Sequence, residues 1–264
     1  MKKKILKKNW QPHTNYKGLE NYGDNQSSKD IDHFESYFNS LKNNFDKIDL
    51  VRNFPLFVRR QDLIYYLSKY ELFKKTLDVK GSIIECGSHT GASLLLFAKL
   101  TSIFQPYDIH KKVISFDTFS GFPDFNKNKD NVKYKRLNKT QFNNTSLNLI
   151  KEQINLFDKN RFNNHIEKVE IVKGDAVKTI PAYIKKNKHL IVSLLYLDFD
   201  LYDPTCKAIE NFLPRMPKGA LVVFDQINQK RWYGETLAML KKFNINQKEI
   251  KVLPCEPNIS YFIV

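Results

Sequence analysis

Two apolar runs, Leu194-Leu195-Tyr196-Leu197 and Leu221-Val222-Val223-Phe224, have the length of strands and stop abruptly on carboxylates. The first ends on Asp198, with Asp200 two residues on, and the second on Asp225. Unbroken apolar runs belong to strands buried on both faces, as in parallel sheets covered by helices. Ligands of such sheets sit just beyond the carboxyl ends of the strands. Carboxylates gathered at two neighbouring tips repel unless a cation is present. A divalent metal held by oxygen ligands is the simple resolution.

The rest of the chain alternates in the same way. Strands are expected at Ser82–Glu85, Val113–Phe116, Val169–Val172, Ile191–Leu197 and Ala220–Phe224, with two more near Ile250–Leu253 and Ile259–Val264. Helices are expected over Ala92–Leu100, Thr145–Phe157, Ala176–Lys186, Thr205–Phe212 and Gly234–Phe243. Such alternation predicts an α/β fold with an open, mostly parallel sheet and right-handed crossovers. Residues 1–30 read as a polar arm and 31–79 as a helical extension, because 61–77 holds no Gly or Pro and leucines recur at helical intervals. Residues 80–264 form the main domain. Within it, the polar stretch from Asp124 to Asn144 and the helix after it read as a lid insertion over 124–158.

The formal charge is +15, yet apart from Lys2–Lys8 the lysines are spread along the length. No basic strand carries interleaved aromatics, so nucleic acid is not the expected partner. No apolar run is long enough to span a bilayer, and Lys2–Lys8 lack the apolar segment of a secretory signal. Three cysteines without metal-ligand spacing point to reduced thiols and a cytoplasmic setting.

The first strand leads into Glu85-Cys86-Gly87-Ser88-His89-Thr90-Gly91 and then a helix. Glycines at such a turn let a ligand approach the amides of a helix N-terminus. The middle glycine of the dinucleotide fingerprint is absent, since His89 stands there. Asp117 ends the second strand, where an acid can accept both hydroxyls of a ribose. Asp175, in Gly174-Asp175-Ala176 after the third strand, suits an adenine amine and equally suits a helix N-cap. No Gly-x-Ser-x-Gly elbow and no Gly-Lys-Ser/Thr phosphate loop occurs.

Taken together, these segments resemble the macrocin O-methyltransferase (TylF-like) family. The resemblance is carried by Phe57-Val58-Arg59-Arg60-Gln61-Asp62-Leu63, Tyr70-Glu71-Leu72-Phe73-Lys74 and Gly81-Ser82-Ile83-Ile84-Glu85-Cys86-Gly87. It continues in Ser115-Phe116-Asp117-Thr118-Phe119-Ser120-Gly121-Phe122-Pro123, Lys173-Gly174-Asp175-Ala176, Leu197-Asp198-Phe199-Asp200-Leu201-Tyr202 and Pro217-Lys218-Gly219. It implies a Rossmann-like class I methyltransferase, a seven-stranded sheet with a reversed last strand, using S-adenosyl-L-methionine to methylate a hydroxyl of a sugar or glycoside. By the resemblance Glu85, Gly87 and Gly91 line the methionine end, Asp117 holds the ribose and Asp175 the adenine. Ser88, Ser93, Thr118, Gly174, Ala176 and Asp198 complete the cofactor candidates. A divalent cation, expected to be Mg2+, falls to Asp198 and Asp225, and Asp200 matches the general base. Where the family usually carries two consecutive acids, this chain has Asp225-Gln226. Gln226 can still offer a carbonyl oxygen, at the loss of one negative charge. Other acceptors (phenolic or RNA) and a cofactor-binding protein whose catalysis has lapsed are the competing readings. The N-terminal segments are open to a role in homo-oligomer formation or in closure over the site.

Overall fold

The structure is a computed structural model describing residues 46–133, 139, 142–143 and 145–264. The expected arm at 1–30 and the start of the helical extension lie outside the described residues, as does part of the insertion. The chain divides into two compact units, Met1–Tyr65 and Tyr66–Val264. In the first, α1 (Lys47–Arg52) is capped by the Asp46 side chain, and α2 (Phe54–Phe57) carries Pro55 in its first turn. Helix α3 (Arg60–Lys74) runs across the boundary, and its residues from Tyr66 on belong to the second unit.

The second unit holds one seven-stranded sheet of β1 (Ser82–Cys86), β2 (Val113–Asp117), β3 (Val169–Lys173), β4 (Val192–Leu197), β5 (Leu221–Phe224), β6 (Lys251–Leu253) and β7 (Glu256–Ile263). Its order is β3-β2-β1-β4-β5-β7-β6, the first five strands parallel and β7 antiparallel to both of its neighbours. The expected sheet with a reversed last strand is therefore present. Helices α4 (Ala92–Phe104), α5 (Leu147–Lys159), α6 (Ala176–Lys186), α7 (Tyr202–Phe212) and α8 (Gly234–Lys242) complete the fold. Helix α7 starts three residues before the expected Thr205, because Pro204 falls in its first turn, where no intrahelical N–H is needed. Strand β7 begins at Glu256, where a polar residue pairs with Leu253 and hides the strand from an apolar pattern.

Side-chain alternation splits the apolar runs between two cores. Ile84, Cys86, Leu195, Leu197, Val222 and Phe224 face one core with α6, α7 and α8, through Ile180, Ile209 and Met239. Ile83, Leu194, Tyr196, Leu221 and Val223 face the other, with α3 and α4 through Leu72, Phe73, Leu94 and Phe97. By the same alternation Glu85, Asp198 and Asp225 belong to the Tyr196 face, so three acids fall on one side of the sheet.

Candidate active site

The tips of β4 and β5 lie side by side. Leu197 pairs with Phe224, the Asp225 amide donates to Leu197 O at 2.9 Å, and the Asp198 amide donates to Cys86 O at 2.9 Å. Strand β4 ends at Leu197. Asp200 then turns into the left-handed region at φ +62°, which breaks the simple alternation from Asp198. That turn is braced by Glu235, fully buried in the first turn of α8, whose Oε1 accepts the Asp200 amide at 3.1 Å. Gln226 Nε2 donates to Asp200 Oδ1. Burial, then the charges of Asp225, Asp200 and Glu235, push the Asp198 carboxyl well above its usual range. Burial, reinforced by Asp200 and Asp225, does the same to Glu235.

The other three strand ends close around the same space. Gly87 leaves β1 at φ +89° with its α-carbon against the Asp198 carbonyl. Asp117 ties two loops together: Oδ2 accepts the His89 amide at 2.9 Å and Oδ1 the Phe119 amide at 2.6 Å. Asp175 caps α6 by accepting the Val177 amide at 3.0 Å. Seven of the candidate residues line one cavity: Gly87, Asp117, Thr118, Gly174, Ala176, Asp198 and Asp200. Ser88 and Ser93 are buried and not part of its lining, Ser88 against Ser115 at 2.5 Å and Ser93 donating to Glu85. Gly91 abuts the Ile150 side chain, and neither it nor Asp175, Asp225 or Gln226 is part of the lining.

Sequence reasoning missed several participants. His89 and Phe142 line the cavity and meet edge to face at 5.2 Å between ring centres. Phe122 joins them, packing on Phe142 at 5.6 Å and on Trp232 at 6.1 Å. The described part of the insertion is pinned beside this wall. Buried Asp130 accepts the Asn126 amide at 2.6 Å and the Tyr202 amide at 2.8 Å, and Tyr233 Oη donates to Asp130 O at 3.1 Å. Among the described residues, no group of three or more His, Cys, Asp or Glu side chains is arranged to hold a metal ion.

Glu85 is fully buried, and its Oε2 has no hydrogen-bond partner among the protein's own groups. Burial lifts its carboxyl from 4.5 to about 7, against the Ser93 hydrogen bond and the Lys69 charge, with Asp117 adding to the rise. The folded protein therefore keeps a proton that the unfolded chain releases above 4.5. Its stabilising effect is complete below that value and is lost as pH rises to about 7, a change of about 3 kcal/mol. Melting temperature of the cofactor-free protein should fall between pH 5 and pH 8, and Glu85→Gln should flatten that slope. An identical slope in the variant would contradict the assignment.

The model of the family described as Macrocin-O-methyltransferase (TylF) matches residues 72–252. The chain belongs to that family. It is an O-methyltransferase, and its Rossmann-like class I fold implies S-adenosyl-L-methionine as methyl donor. The crystal structure of CalS11, a calicheamicin methyltransferase, is 30% identical, covers 90% of this chain and 93% of its own, and superposes with a TM-score of 0.85. The apo structure of CalS11, described as a TDP-rhamnose 3'-O-methyltransferase, gives 29% identity, 90% and 95% coverage and a TM-score of 0.77. The O-methyltransferase NovP, at 17% identity, 76% and 79% coverage and a TM-score of 0.60, shares the fold. No curated protein matches significantly. No helix among the described residues is long and apolar enough to cross a membrane.

Proposed function

We propose that this TylF-family enzyme methylates a hydroxyl of a sugar or glycoside, with Asp200 as general base. The observation that carries the reading is the meeting of Asp198 and Asp200 with Gly87, Asp117 and Gly174 in one cavity. Acceptor-side acids and a nucleoside-sized set of strand ends then share a single space. Because CalS11 is described as acting on TDP-rhamnose, a nucleotide-activated deoxysugar is the first acceptor to try.

S-adenosylmethionine, when bound, supplies an electrophilic methyl on a cationic sulfur. The orphaned Glu85 Oε2, fully buried in the cofactor-free protein, fits the ammonium of its methionine through one bridging water. The lone pairs that Asp117 keeps beyond its two amide contacts fit the ribose hydroxyls, and Gly174 and Ala176 leave room for the base. Asp200 receives the proton of the acceptor hydroxyl as its oxygen attacks. The Phe122–Phe142 wall excludes water from that step, and oriented contact of this kind supplies up to roughly 7–11 kcal/mol of barrier lowering.

The donor set also fits a divalent cation of modest affinity. Asp198 and Asp225 project from adjacent tips and Gln226 brings an amide oxygen. Mg2+ is commonly held by one or two carboxylates, with waters and substrate completing its shell. There it would polarise the acceptor hydroxyl.

The test is methyl transfer to a panel of nucleotide-activated deoxysugars, read as demethylated cofactor and methylated product by mass spectrometry, with cofactor binding measured by calorimetry. Product with a sugar acceptor, reduced by chelator while cofactor binding persists, is expected. Cofactor binding without transfer to any polyol would overturn the reading in favour of lapsed catalysis.

A further inference from the structure

Lys69 sits on α3 three and four residues before Leu72 and Phe73, hence on the face that enters the core. It is 0% exposed. Removing an ammonium from water costs several kcal/mol, so this position needs a compensating field. Its Nζ donates to Tyr196 Oη at 3.1 Å, and Tyr196, also 0% exposed, donates in turn to Asp225 Oδ1. The path runs from a helix of one layer, through the middle of β4, to the tip of β5.

Register explains why these groups meet. Glu85 pairs with Tyr196 and Tyr196 with Val223, so Glu85, Tyr196, Asp198 and Asp225 share the sheet face that α3 covers. Burial lowers the Lys69 ammonium's pKa, and the charges of Asp225, Asp198, Glu85 and Glu256, in that order, oppose the shift. A buried ion is generally no more stabilising than a well-packed apolar side chain of similar volume. Packing alone therefore gives no reason for a lysine here.

We propose that Lys69 is a positioning residue for the acceptor-side carboxylates. Through the Tyr196 hydroxyl it fixes one oxygen of Asp225, and with it the orientation of that carboxylate at the tip of β5. The proposal rests on the reading of Asp225 given above.

The test compares Lys69→Met, Tyr196→Phe and the double variant with the wild-type protein. Each single variant should lose about 10–100-fold in acceptor kcat/KM, the usual cost of removing a group that orients a ligand-binding side chain, with cofactor Kd unchanged in Tyr196→Phe. Because both act along one path, the double variant should be no worse than the poorer single one. Additive losses, or a parallel loss of cofactor affinity in Tyr196→Phe, would mark a merely structural role. Tyr196→Phe removes one oxygen and keeps the question open to measurement should Lys69→Met fail to fold. Crystal structures of the variants separate this proposal from the acceptor reading: Asp225 should leave its present rotamer even if no sugar acceptor is ever found. An unmoved Asp225 in Tyr196→Phe would overturn it.

Discussion

Asp200→Asn is expected to lower methyl transfer by about 10²–10⁴-fold, the range a positioned base contributes, while cofactor affinity stays within about twofold. The substitution keeps size and shape, and asparagine, like aspartate, tolerates the left-handed backbone that Asp200 adopts at φ +62°. The Glu235 brace is made to the Asp200 amide, so it survives. What disappears is an oxygen able to take a proton. A second, opposite effect should accompany the loss. The Asp200 charge helps push both Asp198 and Glu235 out of their usual carboxylate range, so its removal should raise the melting temperature. A single-turnover assay with product quantified, run beside a thermal melt, reads both. Transfer at more than about a third of the wild-type rate would remove Asp200 from the chemistry.

The left-handed backbone at Asp200 marks where sequence reading stops. Apolar runs reveal buried strands because both faces of the sheet are covered, and the runs ending on Asp117, Asp198 and Asp225 sit at strand ends as expected. The mostly parallel sheet follows from alternation with helices and the reversed last strand from the family resemblance, whereas the order of the strands appears only in the structure. Alternation also places Glu85, Tyr196, Asp198 and Asp225 on one face in principle. It does not say which helix covers that face, and the bond from Lys69 to Tyr196 spans 127 residues of sequence. Two local signals were nevertheless available. A lysine in register with Leu72 and Phe73 on a helix face is a buried-charge candidate, and a tyrosine inside an unbroken apolar run needs a partner for its hydroxyl. Glu235 offered none: an acid in the first turn of a helix reads as a partner of the macrodipole, and only the contact with Asp200 gives it another task. The wall of His89, Phe122 and Phe142 was hidden because its members come from two separate connections, β1 to α4 and β2 to α5, whose paths no periodicity encodes.

Among the described glycines, Gly87→Ala is expected to be the most damaging substitution. The turn's glycines read in sequence as room for a ligand, and the structure gives Gly87 a more demanding task. A Cβ there would stand 2.0 Å from the Asp198 carbonyl oxygen and 2.8 Å from its carbon. Both atoms are backbone, held by the bond from the Asp198 amide to Cys86 O, so no side chain can swing aside. The φ of +89° adds a conformational penalty for any L side chain. Overpacking of about 1–3 kcal/mol and a backbone cost of about 1–2 kcal/mol act together. At roughly 2–4 °C per kcal/mol for a domain of this size, a fall of about 4–20 °C in melting temperature should result. Gly219→Ala is the control. Its φ of +94° is as unfavourable, but its Cβ would meet nothing closer than Val79 Cγ2 at 3.4 Å, so it should show only the smaller backbone cost. Any folded Gly87→Ala protein must displace the Asp198 peptide, and with it the floor of the cavity proposed to take cofactor and acceptor. Calorimetry should then find cofactor affinity reduced at least about tenfold, a loss that Asp200→Asn does not share. A Gly87→Ala protein that melts no earlier than Gly219→Ala and binds cofactor normally would mean that the tips of β1 and β4 are not held in the contact described.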